Sequence, residues 1–140
     1  MKKSATIVLT VVFSICIFSL NACILGGDIA QYKYIGETKV RMTEIDPGGV
    51  KVFDYNNGPE LTAFDPYVIF YDTHYVVAQG TKGIDYKPYF VVIELPTKEG
   101  ANCVVHESYS SDEYEQIIKE KNIELDKMEQ TDAHIPWRLF

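Results

Sequence analysis

After residue 30 the chain alternates apolar and polar residues in short stretches, the pattern of half-buried strands. Gln31 to Ile35 and Lys39 to Ile45 carry it, with Val40 and Met42 set against Lys39 and Arg41. Val50-Lys51-Val52-Phe53-Asp54-Tyr55 repeats it between two turn signals, Asp46-Pro47-Gly48-Gly49 and Asn56-Asn57-Gly58-Pro59. Proline presets φ and glycine accepts φ > 0, so both tetrapeptides reverse the chain easily. A hairpin follows, Tyr67 to Tyr71 and His74 to Ala78 about Asp72-Thr73, with Gly80 to Gly83 expected to end it. Its arms are rich in the β-branched and aromatic residues that favour strands. A second hairpin runs from Tyr86 to Leu95, turns at Pro96 to Gly100, and returns through Asn102 to His106. Phe90 to Ile93 is apolar without alternation, which predicts a central strand covered on both faces.

The periodicity then changes to that of a helix. Ser110 as N-cap and Glu113, reaching back to its amide, make a capping box. Tyr114, Ile117 and Ile118 share one face, and Asn122 fits a left-handed stop. Beyond it Ile123, Leu125, Met128 and Pro136-Trp137 read as an irregular tail. The fold class predicted is α+β: mostly antiparallel β-sheet, of about six or seven strands, with one C-terminal helix packed on it. Residues 30–140 form a single β-rich domain.

The first 22 residues follow another rule. Lys2 and Lys3 precede a strongly apolar run of 12 residues, Ile7 to Phe18, and then Ser19-Leu20-Asn21-Ala22-Cys23. A bilayer-spanning helix needs about 20 apolar residues; the shorter run and its flanks match a secretory signal. Leu20-Asn21-Ala22-Cys23 resembles the lipobox of bacterial lipoproteins. The resemblance implies residues 1–22 as the signal peptide, cleavage between Ala22 and Cys23, diacylglycerol on the Cys23 thiol, and membrane attachment through that lipid. Residues 23–29 then serve as a lipidated tether. Ile24, not Asp, follows the cysteine, which by the lipoprotein sorting rule implies the outer membrane if the cell has one. On the residues alone, a secreted protein with a chance cysteine and an uncleaved anchor remain as alternatives.

Composition refines this picture. The 140 residues carry 13 basic and 20 acidic side chains, a net charge of −7. Removing residues 1–22 takes Lys2 and Lys3 and no acid, leaving 118 residues at −9. That excess argues against nucleic acid, which binds to clustered Lys and Arg. Cys16 leaves with the signal and Cys23 takes lipid, so Cys103 has no partner for an intramolecular disulfide.

Signatures of catalysis and of metal or cofactor binding are missing from the sequence, with no G-x-S-x-G, P-loop, H-E-x-x-H or C-x-x-C. His74, His106 and His134 fall on separate segments without ligand spacing, so neither a metal nor a cofactor is expected. Asp72 and His74 share a hairpin tip, where polar residues usually serve the turn. Cys103 and His106 are three apart on a predicted strand and should face opposite ways, which leaves Cys103 a small buried hydrophobe. The ten tyrosines are more suggestive. Tyr67, Tyr71 and Tyr75 form a candidate binding surface for a protein or glycan, against ordinary sheet packing as the alternative.

The mature chain also resembles small bacterial lipoproteins with a C-terminal domain of unknown function. The likeness rests on the lipobox, Gly26-Gly27-Asp28, Tyr75-Val76-Val77-Ala78-Gln79, Tyr89 to Ile93, Ser111-Asp112-Glu113-Tyr114 and Lys121-Asn122-Ile123, and covers roughly residues 20–123. It implies a location and a fold, not an activity. The functional expectation is a membrane-anchored envelope lipoprotein, non-catalytic, binding a protein or glycan near the membrane. The alternative is an envelope hydrolase built from dispersed carboxylates or His74.

Overall fold

A computed structural model describes residues 31–45 and 49–135. Ala22 and Cys23 with the signal and tether, Asp46 to Gly48 of the first turn, and Pro136-Trp137 lie outside the described residues. The strands are β1 (Tyr32–Tyr34), β2 (Val40–Glu44), β3 (Lys51–Tyr55), β4 (Glu60–Tyr71), β5 (Tyr75–Lys82), β6 (Lys87–Glu94), β7 (Val104–Ser108) and β8 (Glu129–Thr131). Between β7 and β8 lie helix α1 (Ser111–Glu120) and a one-turn 3₁₀ helix, Leu125–Lys127. None of the described helices is long and apolar enough to cross a membrane.

The strands pair antiparallel in sequence order from β1 to β7, and β8 returns to pair with β4. Strand β4 links two sheets. Its first part pairs with β3 as far as Phe64↔Lys51, and its second part pairs with β5 from Asp65↔Thr81 onward. Between them the register slips across Pro66 to Val68. Proline gives no ladder hydrogen bond, so a strand accommodates it at such a bulge.

The bend folds the two sheets face to face over one core. Val40, Met42, Phe53 and Phe64 come from the first sheet and meet Ile69, Val76, Val91 and Ile93 of the second. Phe53 stacks on Phe64 at 5.2 Å, and Phe64 reaches Tyr89 at 5.3 Å across the interface. Two ends result. One holds the bend, the β2–β3 connection and the β5–β6 turn. The other holds the β1–β2, β3–β4 and β4–β5 turns and the exit of β6.

Strands β5 and β6 are covered on both faces, as the unbroken apolar run of β6 predicts. Val76 and Val91 face the inner core, while Val77 and Val92 cluster with Tyr114 and Ile123 on the outside. Within this second sheet β6 is an interior strand, next to β5 at its middle. Helix α1 ends as a Schellman motif: the Ile123 amide donates to Ile118 O and the Asn122 amide to Lys119 O. Asn122 takes φ 53°, the left-handed conformation this stop requires.

The structure corrects the sequence reading of the elements in several places. Among the described residues there are eight strands rather than six or seven; β8 consists of Glu129, Gln130 and Thr131, which carry no apolar period to announce a strand. Helix α1 is not the final element, because the 3₁₀ turn and β8 follow it. And β5 continues through Gly80 to Lys82. Gly80 is there for closeness, since a Cβ on it would stand 2.0 Å from Asp65 O.

Candidate functional site

At the end away from the bend, four connections enclose a cleft of about 670 Å³, within the range of ordinary ligand sites. The β1–β2 turn supplies Gly36 to Lys39, and Tyr55 closes the end of β3. Tyr71, Asp72 and Thr73 come from the β4–β5 turn, Leu95 and Pro96 from the chain leaving β6, and Lys127 and Glu129 from beyond α1.

Local bonding fixes each wall. In the β1–β2 turn Thr38 Oγ1 donates to Ile35 O at 2.6 Å and accepts from the Val40 amide at 3.2 Å. Gly36, at φ +54°, lies so near the Tyr71 ring that a Cβ would be 2.1 Å from Cε2. Asp72 Oδ1 accepts from the amides of His74 and Tyr75, each at 2.7 Å. Its carboxylate therefore holds the turn, and the Asp72–His74 tip is structural as the sequence suggested.

Tyr71 is the central group. Its hydroxyl donates to Glu129 Oε2 at 2.7 Å. That bond to a carboxylate raises its pKa, and desolvation and the negative charges of Glu129 and Glu37 push the same way. Tyr71 is thus a neutral phenol at physiological pH. Lys127 is drawn to Glu124, whose carboxylate raises the lysine's pKa. Aromatic faces, threonine hydroxyls and flanking charges of both signs can stack on and hydrogen-bond a polar ligand. The side chains lining this cleft include no His, Cys or Ser.

The three tyrosines proposed from the sequence do not share one surface. Tyr71 packs against the inner core and Tyr75 against the outer cluster. Tyr67 is exposed beside the bend. Cys103 and His106 are likewise separated. The thiol packs on the inner core, and burial raises its pKa. His106 Nε2 instead meets Glu94 Oε2 at 2.7 Å on the outer face. Lys121 joins the same carboxylate at 3.1 Å, so the end of α1 is tied to β6 and β7. Among the described residues no group of three or more His, Cys, Asp or Glu could hold a metal ion. Sequence reasoning missed Gly36, Lys127 and Glu129. The last two sit in what reads as an irregular tail, and only the pairing of β8 with β4 brings them to Tyr71.

Compared with known proteins, the chain matches no family model, no curated relative and no solved structure.

Proposed function

We propose that this chain is a membrane-anchored lipoprotein of the bacterial envelope, held by lipid on Cys23, whose β-rich domain binds a protein or glycan without catalysis. The observation that carries the anchor is the order Lys2-Lys3, the 12-residue apolar run and Ala22-Cys23. By its Ile24 the protein belongs at the outer membrane where a cell has two membranes. The cleft around Tyr71 supports the binding half. Its walls are four connections braced by backbone and side-chain hydrogen bonds, so a ligand meets a preformed surface rather than one it must order.

Two measurements test the reading. Palmitate supplied to growing cells labels the wild-type protein and not Cys23→Ala; equal labelling of both would remove the anchor. Crosslinking in the native envelope followed by purification recovers a partner with the wild type. Thr73→Arg fills the cleft from an exposed position and loses that partner. Identical recovery with both proteins would exclude the cleft.

A further inference from the structure

The large apolar side chains left in water are gathered at the bend end. Ile84 is 99% exposed, Tyr86 73%, Ile45 64% and Tyr32 54%, and Val50 stands beside them at 37%. They come from separate connections. Ile45 and Val50 flank the β2–β3 loop, Ile84 and Tyr86 form the β5–β6 turn, and Tyr32 opens β1. Val50 and Tyr86 line one hollow, so the two loops are neighbours. The described cleft end exposes two large apolar side chains, Val104 at 51% and Tyr34 at 44%. Turns rarely spend an isoleucine and a tyrosine on solvent, and contiguous exposed apolar groups mark an interaction surface.

The chain enters at this same end. Tyr32 pairs with Thr43, one step from Glu44↔Lys51 beside the bend. It lies nine positions after Cys23, a reach of at most about 30 Å when extended. The end that carries the apolar loops is therefore tethered at Tyr32 within that reach of any lipid on Cys23, a confinement that lets a weak attraction act as a strong one.

Charge does not oppose the contact as strongly as the net −9 suggests. Asp85 pairs with Lys87 at 3.4 Å, and Glu44 with Lys51 at 3.5 Å. Lys82 bonds Tyr89 Oη at 3.3 Å. Asp65 remains as an acid there and Glu107 lies beside Tyr89 and Lys82, while Asp112, Glu113, Glu115, Glu120 and Glu124 lie on or just after α1.

We propose that the bend end docks on the phospholipid surface, with Ile84, Tyr86, Ile45 and Tyr32 entering the headgroup boundary and the Tyr71 cleft turned away from the membrane. The proposal rests on the Cys23 anchor and adds an orientation to it. Apolar side chains of loops at the headgroup level gain burial, and tyrosine rings favour that layer. Insertion, not charge, drives the contact, so uncharged lipid suffices and salt has little effect.

The test uses the acylated mature protein in phosphatidylcholine vesicles. Single cysteines replace Ile84 or, at the cleft end, Thr73, in a Cys103→Ser background, and each carries an environment-sensitive fluorophore. The label at 84 shifts to the blue and is quenched by doxyl lipids, in low and high salt alike. The label at 73 keeps its aqueous emission. Ile84→Asp, a change at a fully exposed position, abolishes the quenching of a label placed at 86. Aqueous emission at 84 from protein that sediments with the vesicles would overturn the docking and leave the anchor standing. Failure to take up palmitate and to sediment would overturn both.

Discussion

Gly80 touches the backbone of Asp65 so closely that no side chain fits between them: a Cβ would lie 2.0 Å from the Asp65 carbonyl oxygen and 2.7 Å from Pro66 Cα. The contact occurs where β4 passes from one sheet to the other. Strand β5 follows the bend only because one of its residues has no side chain.

Gly80→Ala should accordingly destabilise the domain by about 3 kcal/mol, since the obstacle is backbone and cannot rotate away. Gly100→Ala is the comparison. Gly100 has φ +79° but nothing within 4 Å of its Cβ, so only conformational strain is added, on the order of 1 kcal/mol. Urea unfolding midpoints of the two variants measure the difference.

The start of α1 is held by a relay. The Ser110 amide donates to Ser108 Oγ at 2.9 Å, and the Ser108 hydroxyl donates to Glu113 Oε2 at 2.6 Å. Ser110 Oγ accepts from the Glu113 amide at 3.4 Å. Glu113 thus reaches the cap through a buried serine of β7 instead of directly. Ser108→Ala strands both partners and should cost about 1–2 kcal/mol. Thermal unfolding should show at least as large a loss as Ser110→Ala; no loss would mean the relay contributes nothing.

Acid should weaken the clip between α1 and the second sheet. The hydrogen bond from His106 lowers the Glu94 pKa, and Lys121 adds to it against desolvation. A carboxylate whose folded pKa is depressed contributes stability that is present above its unfolded value, 4.5, and lost as pH falls through the folded value. Glu94→Gln should lower stability near neutrality and flatten its decline below about pH 5. Chemical unfolding at a series of pH values gives both slopes; parallel curves for the two proteins would contradict the expectation. Asp132 acts with the same sign, its carboxyl lowered by the bond from Lys33.

At high pH the tyrosines take over. Burial raises Tyr89 and Tyr114, and the Glu129 bond raises Tyr71. A raised folded pKa contributes stability that is complete below the unfolded phenol value, about 10, and lost as pH rises through the folded one. Tyr114→Phe keeps the ring stacked on Phe90 at 4.8 Å and gives up only the bond from Gln79. It should therefore unfold at a higher pH than the wild type, followed by ultraviolet absorbance of phenolate.

Much of this fold could be read from local pattern. Asn56 and Asn57 take φ 53° and 57° and close with the Gly58 amide on Tyr55 O, a turn their side chains tolerate. Asn122 stops α1 for the same reason. What escaped were effects of distance in the chain. Strand β4 starts at Glu60, not Tyr67, because Pro66 sits at a bulge that only the paired strand defines. Strand β8 is three polar residues whose pairing depends on Ile69 to Tyr71 being already in place. The cleft was half visible for that reason. Tyr71 stood out by type, whereas Gly36 and Glu129 gain meaning only from touching it.

The last described residues clasp the first. Lys33 of β1 donates to Asp132 Oδ1 at 3.1 Å and to the carbonyls of Asp132 and His134 at 3.3 Å. Ile135 is buried in the same core cluster as Ile35. A chain that emerges amino end first cannot make these contacts until almost all of it is free. Long-range closure of this kind is slow. Strand β1 can pair with β2 early, but the Lys33 bonds to Asp132 and His134 wait for a segment about a hundred positions later, so this clasp is among the last contacts to close.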